Sequence, residues 1–153
     1  MDLILWRHAE AFDAEEGQDD LSRGLTPKGE RQAQRMAEWL NHRLAESTRI
    51  LASPALRCQQ TAAALGRKTK TLPDLAPDAG VQALLNAARW PNSNLPVLLV
   101  GHQPDLGLLA ASLLTGQLIP LALKKGSVWW LRNRDREGLA HVVLQAVQAP
   151  DCL

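Results

Sequence analysis

Leu3-Ile4-Leu5-Trp6-Arg7-His8-Ala9-Glu10 decides the fold. Four consecutive apolar residues stopping at charged ones read as a buried central strand that delivers its last side chains to the edge of a sheet. In α/β folds that edge is where ligands bind. The pattern recurs twice: Ile50 to Ala52 run into Ser53, Pro54 and Arg57, and Val97 to Val100 run into Gly101, His102, Gln103 and Pro104. Three apolar strands ending in cationic or titratable residues predict one anion-binding site assembled from distant parts of the chain.

Between these strands the sequence alternates toward helix. Ala11 to Gly24 is acidic, carries Asp13, Glu15, Glu16, Asp19 and Asp20 without periodicity, and reads as a solvated loop. Thr26 is then an expected N-cap with Pro27 at the first helical position, and Ala33, Met36, Ala37, Leu40 and Leu44 form one apolar stripe. After the second strand, Ser53 is expected to cap a helix starting at Pro54, with Ala55, Cys58, Ala62 and Leu65 inward, Arg57 off that stripe, and Gly66 as the stop. Lys68 to Leu72 reads as an edge strand before a turn at Pro73-Asp74, Val81 to Ala88 as a short helix, and Arg89 to Pro96 as a loop. Pro104 opens a further helix with Leu106, Leu109, Ala110 and Leu113 inward and Gly116 past its end. Strands near Ser127 to Arg132 and Ala140 to Val147, joined by a charged turn from Asn133 to Gly138, complete the reading. The expected fold is α/β: one domain over residues 1–153, a three-layer αβα sandwich with a mostly parallel mixed sheet and no sizeable cap insertion.

The totals narrow the function. With 17 basic and 16 acidic residues well mixed over 153 positions, the net charge is +1, and no footprint for nucleic acid or an anionic membrane is visible. The first strand is too short to span a bilayer, and acidic Asp2 stands where a signal peptide has basic residues, so a cytoplasmic location is expected. Cys58 and Cys152 form no disulfide framework. A cysteine-nucleophile phosphate loop would need arginine six positions after Cys58, where Ala64 stands, so Cys58 reads as a small buried apolar residue.

Arg7 and Arg57 offer planar donor forks that match phosphate oxygens. The natural ligand of the three strand ends is therefore a phosphoryl group. There is no glycine-rich phosphate loop, no dinucleotide fingerprint and no paired carboxylates at metal spacing. A zinc site built on His8 and His102 lacks a third ligand. The chemistry is expected to run on side chains, without metal or cofactor. Neighbouring guanidinium charge disfavours imidazolium, so His8 should stay neutral near pH 7 and able to attack phosphorus, while Arg7, Arg57 and His102 neutralise the oxygens.

These residues resemble the motifs of the histidine phosphatase superfamily. Arg7-His8-Ala9-Glu10 is similar to its R-H-G signature, with alanine where the family has glycine; Ser53-Pro54-Ala55-Leu56-Arg57 resembles its S-P-x-x-R segment, and Gly101-His102 its later G-H. In length, and in the stretch Ser22 to Gly29, the chain is most similar to the SixA-type phosphohistidine phosphatases. The resemblance implies that His8 is the nucleophile, that Arg7, Arg57 and His102 surround the phosphate, and that Arg23 adds a contact. It also implies a phosphorylated histidine-containing protein as substrate, of the phosphorelay or phosphotransfer type.

Imidazole is a better leaving group than an alkoxide and needs less help from an acid. The only carboxylate near the place where larger members carry a proton donor is Asp74, whose commoner role is the turn itself. Two alternatives stand beside the phosphohistidine reading: a broad-specificity phosphatase for small phosphorylated metabolites, and a catalytically silent module that only binds phosphoprotein. His42 and His141 read as structural, Trp6 and Trp39 as core, one of Trp129 and Trp130 as inward, and Trp90 as a candidate for a partner surface.

Overall fold

The computed structural model describes residues 1–136 and 139–153 of the chain. The elements follow in the order β1 (Asp2–Arg7), α1 (Pro27–Asn41), β2 (Arg49–Ala52), α2 (Leu56–Ala63), β3 (Lys70–Thr71), α3 (Val81–Ala88), β4 (Val97–Gly101), α4 (Asp105–Thr115), β5 (Val128–Arg136) and β6 (Leu139–Gln148). The strands form one mixed sheet in the order β3-β2-β4-β1-β5-β6. The β3-β2-β4-β1 part is parallel, and β5 and β6 add an antiparallel hairpin at the β1 side. The charged turn expected from Asn133 to Gly138 lies partly outside the described residues.

Side chains alternate across a strand, so each apolar run feeds two cores. Ile4, Trp6, Ile50, Leu98 and Val100 meet Met36, Ala37 and Leu40 of α1 and Cys58 and Ala62 of α2 on one face. Leu3, Leu5, Leu51, Val97 and Leu99 meet Leu84 of α3 and Leu106, Leu109 and Ala110 of α4 on the other. Helices therefore cover both faces, as expected for a three-layer αβα sandwich. Trp6 is fully buried and Trp130 packs inward with it; Trp129 lies half-buried on the opposite face. Trp39 is only half-buried, stacked under the Arg43 guanidinium at 4.4 Å. Trp90 is half-buried and packs against the second core. His42 is exposed at the end of α1, and His141 is exposed in β6. Among the described residues no helix is long and apolar enough to cross a membrane.

Two helix starts differ from expectation. Thr26 caps α1 as foreseen, accepting from Gly29 N at 3.0 Å with Pro27 first. Helix α2, however, begins at Leu56 behind Ala55, with no side-chain cap. Ser53 is thus not the N-cap of α2; its hydroxyl lies 2.7 Å from His102 Nε2 and accepts from Ala55 N at 3.2 Å. Pro104 is the residue before α4, not its first.

Candidate active site

The parallel ladder sets the strand ends side by side. Arg7 is level with Gly101 across β1 and β4, and Ala52 with Val100 across β2 and β4. Past the strands, His8 N donates to Gly101 O at 3.1 Å and Ser53 N to Val100 O at 3.1 Å. His8 and His102 therefore face each other, their ring centroids 5.3 Å apart and tilted by 58°. A cavity of about 390 Å³ opens at this edge, lined by Arg7, His8, Arg23, Arg57 and His102 together with Asp13, Asp20, Asp78, Gln103 and Lys125. All five residues singled out from the sequence converge. Asp74 is absent from the cavity wall and is exposed in a 3-10 turn, so the carboxylates at the cavity are Asp13, Asp20 and Asp78.

The His8 ring is oriented by the main chain. Its Nδ1 lies 2.7 Å from Ala9 O, a carbonyl that can only accept, so Nδ1 carries the proton and Nε2 is left with its lone pair. Ala9 is itself fully buried, and its N–H donates to Thr61 Oγ1 at 3.1 Å. Among the described residues only Asp78 and Arg89 are non-glycine positions at positive φ, so Ala9 has no backbone conformation that requires glycine. The next residue is clamped to α1: Thr26 N donates to Glu10 O at 3.0 Å, Gln32 Oε1 accepts from Glu10 N at 2.9 Å, and a Cβ on Gly29 would meet Glu10 O at 1.9 Å. Only glycine permits that approach.

Arg7 is held from the far side. Its Nη1 donates to Leu123 O at 2.7 Å, while its Nε is buried with no partner. The segment carrying Leu123 packs on α4 at Gly107, where a Cβ would stand 1.8 Å from Leu121 O, and Gln103 Nε2 donates to the same carbonyl at 2.7 Å. Arg57, 3% exposed, arrives from the first turn of α2. Its Nη1 donates to Asp20 O at 2.9 Å and its Nη2 to Asp20 Oδ2 at 3.0 Å. Arg23 donates from Nε to Asp20 Oδ1 at 2.9 Å and from Nη1 to Phe12 O at 2.7 Å. One carboxylate of the acidic loop thus lies across two guanidinium groups of the cavity.

His102 is 4% exposed, with Nε2 2.7 Å from Ser53 Oγ and Nδ1 3.4 Å from Arg57 Nη2. Because a hydroxyl both donates and accepts, Ser53 can serve either neutral tautomer of His102. Burial pushes His8 down to about 4, with the charges of Arg57, Arg7 and Arg23 acting in the same direction against the Ala9 hydrogen bond. Burial, then the charges of Arg57 and His8, takes His102 down to about 3. Both imidazoles are neutral at pH 7. The expectation that arginines keep His8 uncharged holds in direction, but loss of water is the larger cause. Desolvation alone would raise the Asp20 carboxyl; the hydrogen bonds from Arg57 and Arg23 outweigh it and hold the group below its ordinary value. Burial pushes the Cys58 thiol up to about 12, so at pH 7 it is no thiolate and no nucleophile.

Residues 3–81 match the family model of the histidine phosphatase superfamily (branch 1). The chain belongs to that superfamily. Within this superfamily it is 32% identical over 129 residues to the phosphohistidine phosphatase SixA of Escherichia coli, covering 79% of each protein. It is 37% identical over 151 residues to an uncharacterized protein of Picosynechococcus, covering 92% of this chain and 90% of the other. The fold is of the SixA type: the structure of the protein histidine phosphatase SixA complexed with tungstate superposes with a TM-score of 0.82 at 27% identity, over 99% of both chains. The cavity wall of this histidine phosphatase chain also carries five charged or polar residues that sequence reasoning did not single out as site residues: Asp13, Asp20, Asp78, Gln103 and Lys125. Asp13 and Asp20 lay in a loop without periodicity, and Asp78, at φ 63°, stands two residues before Gly80, whose N donates to the buried Asp105 Oδ2 at 3.1 Å. Gln103 and Lys125 gave no signal beyond proximity to His102 and to the final hairpin.

Proposed function

We propose that the chain is a metal-independent phosphohistidine phosphatase in which His8 Nε2 is the nucleophile. The observation that carries the reading is the Nδ1 contact to Ala9 O, which leaves Nε2 bare and unprotonated in a cavity walled by Arg7, Arg23, Arg57 and His102. The phosphoryl group of a substrate phosphohistidine enters with its oxygens toward the guanidinium groups. The P–N bond to the substrate imidazole breaks as the His8 Nε2–P bond forms, in line, and the departing imidazole takes a proton from solvent. Ala9 O, accepting from Nδ1–H, stabilises the cationic ring of phosphorylated His8. Arg7, Arg57 and His102 neutralise charge spreading over the equatorial oxygens. Water then attacks phosphorus, its proton leaves with phosphate, and neutral His8 returns.

Support for the substrate class comes from the relatives and from the shape of the site. The Escherichia coli relative is a phosphohistidine phosphatase, and a SixA histidine phosphatase was solved with tungstate, a tetrahedral oxyanion like phosphate. The stretch between Leu72 and Val97 holds only a 3-10 turn and the eight-residue α3, with no capping insertion over the cavity, which leaves room for a histidine borne on a protein surface.

The test is dephosphorylation of a histidine-phosphorylated phosphotransfer protein, with and without EDTA, by the wild type and His8→Ala. The wild type should turn over in EDTA and yield an acid-labile phosphoenzyme, and His8→Ala should do neither. Retained phosphate binding with no turnover in the wild type would make the chain a binding module. Faster cleavage of sugar phosphates than of the phosphoprotein would move the assignment to small esters.

A further inference from the structure

The parallel strands place a second cationic cavity at the opposite end of β2 from His8. Strand β3 covers β2 only at Leu51 and Ala52, so the β2 edge at Arg49 and Ile50 is left open. The resulting recess holds about 720 Å³, within the usual range for small-molecule sites. Its apolar floor includes the buried Ile50 and Leu51. Arg49 rises from β2, Arg67 and Lys68 come from the segment leading into β3, Lys70 is the first residue of β3, and Arg89 ends α3 in a left-handed conformation. From Arg49 to Ser53 the strand advances about 13 Å at roughly 3.3 Å per residue, so an occupant here would not touch the His8 cavity.

Five cations share this recess with one carboxylate, Glu46, and none of the six makes an ion pair among the described residues. Arg67 is fixed in place, donating to Asn41 Oδ1 at 2.8 Å and to Ala45 O at 3.0 Å. Arg49 Nη1 is buried without any hydrogen-bond partner. Burial, and after it the Arg89 charge, hold the Arg49 guanidinium below its ordinary value. A buried donor left unmade is costly, and a chain with a net charge of only +1 has no general need to gather cations here. We propose that the recess binds a polyphosphate chain, carried by a nucleotide or as inorganic polyphosphate, with Arg49 as the deep donor. Cations contributed from three separate segments suit several linked phosphates better than a single one, and the concave shape suits a small molecule better than a protein face. Guanidinium forks and lysine ammonium groups are the phosphate-binding side chains of choice.

Calorimetric titration with inorganic triphosphate and with ATP tests this without any turnover. At about 50 mM salt, where exposed charges are weakly screened, the wild type should bind one equivalent, more weakly as salt rises. Lys68→Glu/Lys70→Glu, both at exposed positions, should weaken binding about tenfold or more, and Lys68→Arg/Lys70→Arg should retain it. Arg57→Ala should leave it within about twofold, since additivity holds between remote sites. Tighter ATP than triphosphate would assign the occupant to nucleotides, with the base on Ile50 and Leu51; the reverse would assign inorganic polyphosphate. Absence of binding at about 5 mM ligand, weaker than any useful affinity, would overturn the proposal. So would affinity that falls with Arg57→Ala and ignores the lysine reversals, because the ligand would then occupy the His8 cavity.

Discussion

Replacing Asp20 with asparagine should make the cavity a better oxyanion receptor. In the structure the Asp20 carboxylate accepts from Arg57 Nη2 and Arg23 Nε, and its backbone carbonyl accepts from Arg57 Nη1. A phosphate that claims the Arg57 fork must displace or crowd that carboxylate. Two charge-assisted hydrogen bonds would be worth about 1.5–3 kcal/mol each if buried. The Asp20 side chain is 52% exposed, however, and exposed pairs contribute about 1 kcal/mol or less. Repulsion between the carboxylate and an entering anion adds about 1 kcal/mol for unit charges 4 Å apart in water. The substituted amide leaves in place the backbone carbonyl that orients Arg57, and its own oxygen can still accept one N–H. The net relief is therefore about 1–1.5 kcal/mol, or roughly five- to tenfold in affinity. Tungstate titration by calorimetry of the wild type and Asp20→Asn measures it directly. Unchanged or weaker binding in the variant would refute the competition and make the carboxylate a brace for Arg57.

Three further outcomes follow from the same contacts. His8 and His102, depressed to about 4 and 3, stay unprotonated in the native state at pH values where unfolded histidines charge. Their stability contribution is complete above about pH 6.5 and is lost as pH falls toward 4 and then 3, at most about 2.7 kcal/mol per pH unit; thermal unfolding flat from pH 7 to 5 would contradict this. Gly29→Ala drives a Cβ into Glu10 O and should cost about 3 kcal/mol, lowering the melting temperature by about 10 °C, and a loss under 2 °C by scanning calorimetry (about 0.5 kcal/mol) would mean α1 simply shifts. Arg57→Lys keeps the charge and removes the fork, so kcat/KM on a phosphohistidine protein should fall about 10- to 100-fold; a change within twofold would show that charge alone suffices.

The parts of the site that were legible in the sequence are those carried by strands. Leu3 to Trp6, Ile50 to Ala52 and Val97 to Val100 are buried on both faces, so burial itself marks them as uninterrupted apolar runs and marks where they stop. Arg7, His8 and His102 follow directly from those stops. What escaped was carried by loops and by hydroxyls. Serine before proline is the ordinary pattern of a helix cap, and nothing in Ser53-Pro54 says that its hydroxyl instead meets a histidine 49 positions away. Asp20 was one of five acids in a loop without period, and its choice by Arg57 depends on the tertiary path of that loop. Asp74 drew notice because it stands near the place where larger family members carry a proton donor, whereas the carboxylate of this stretch that reaches the cavity rim is Asp78, four residues on, where the backbone turns left-handed.

The amide bonds that seat His8 and Arg7, to Gly101 O and Ser127 O, are continuations of the central ladders. Their hydrogens should exchange with solvent deuterium only when the whole domain opens, while Leu21 N and Ser22 N, held by Asp19 in an exposed 3-10 turn, should exchange through local fraying. One wall of the cavity is thus expected to share the lifetime of the native state itself, and the other to open and reclose many times within it, so that the proposed admission of a phosphoprotein would leave the aim of the imidazole undisturbed.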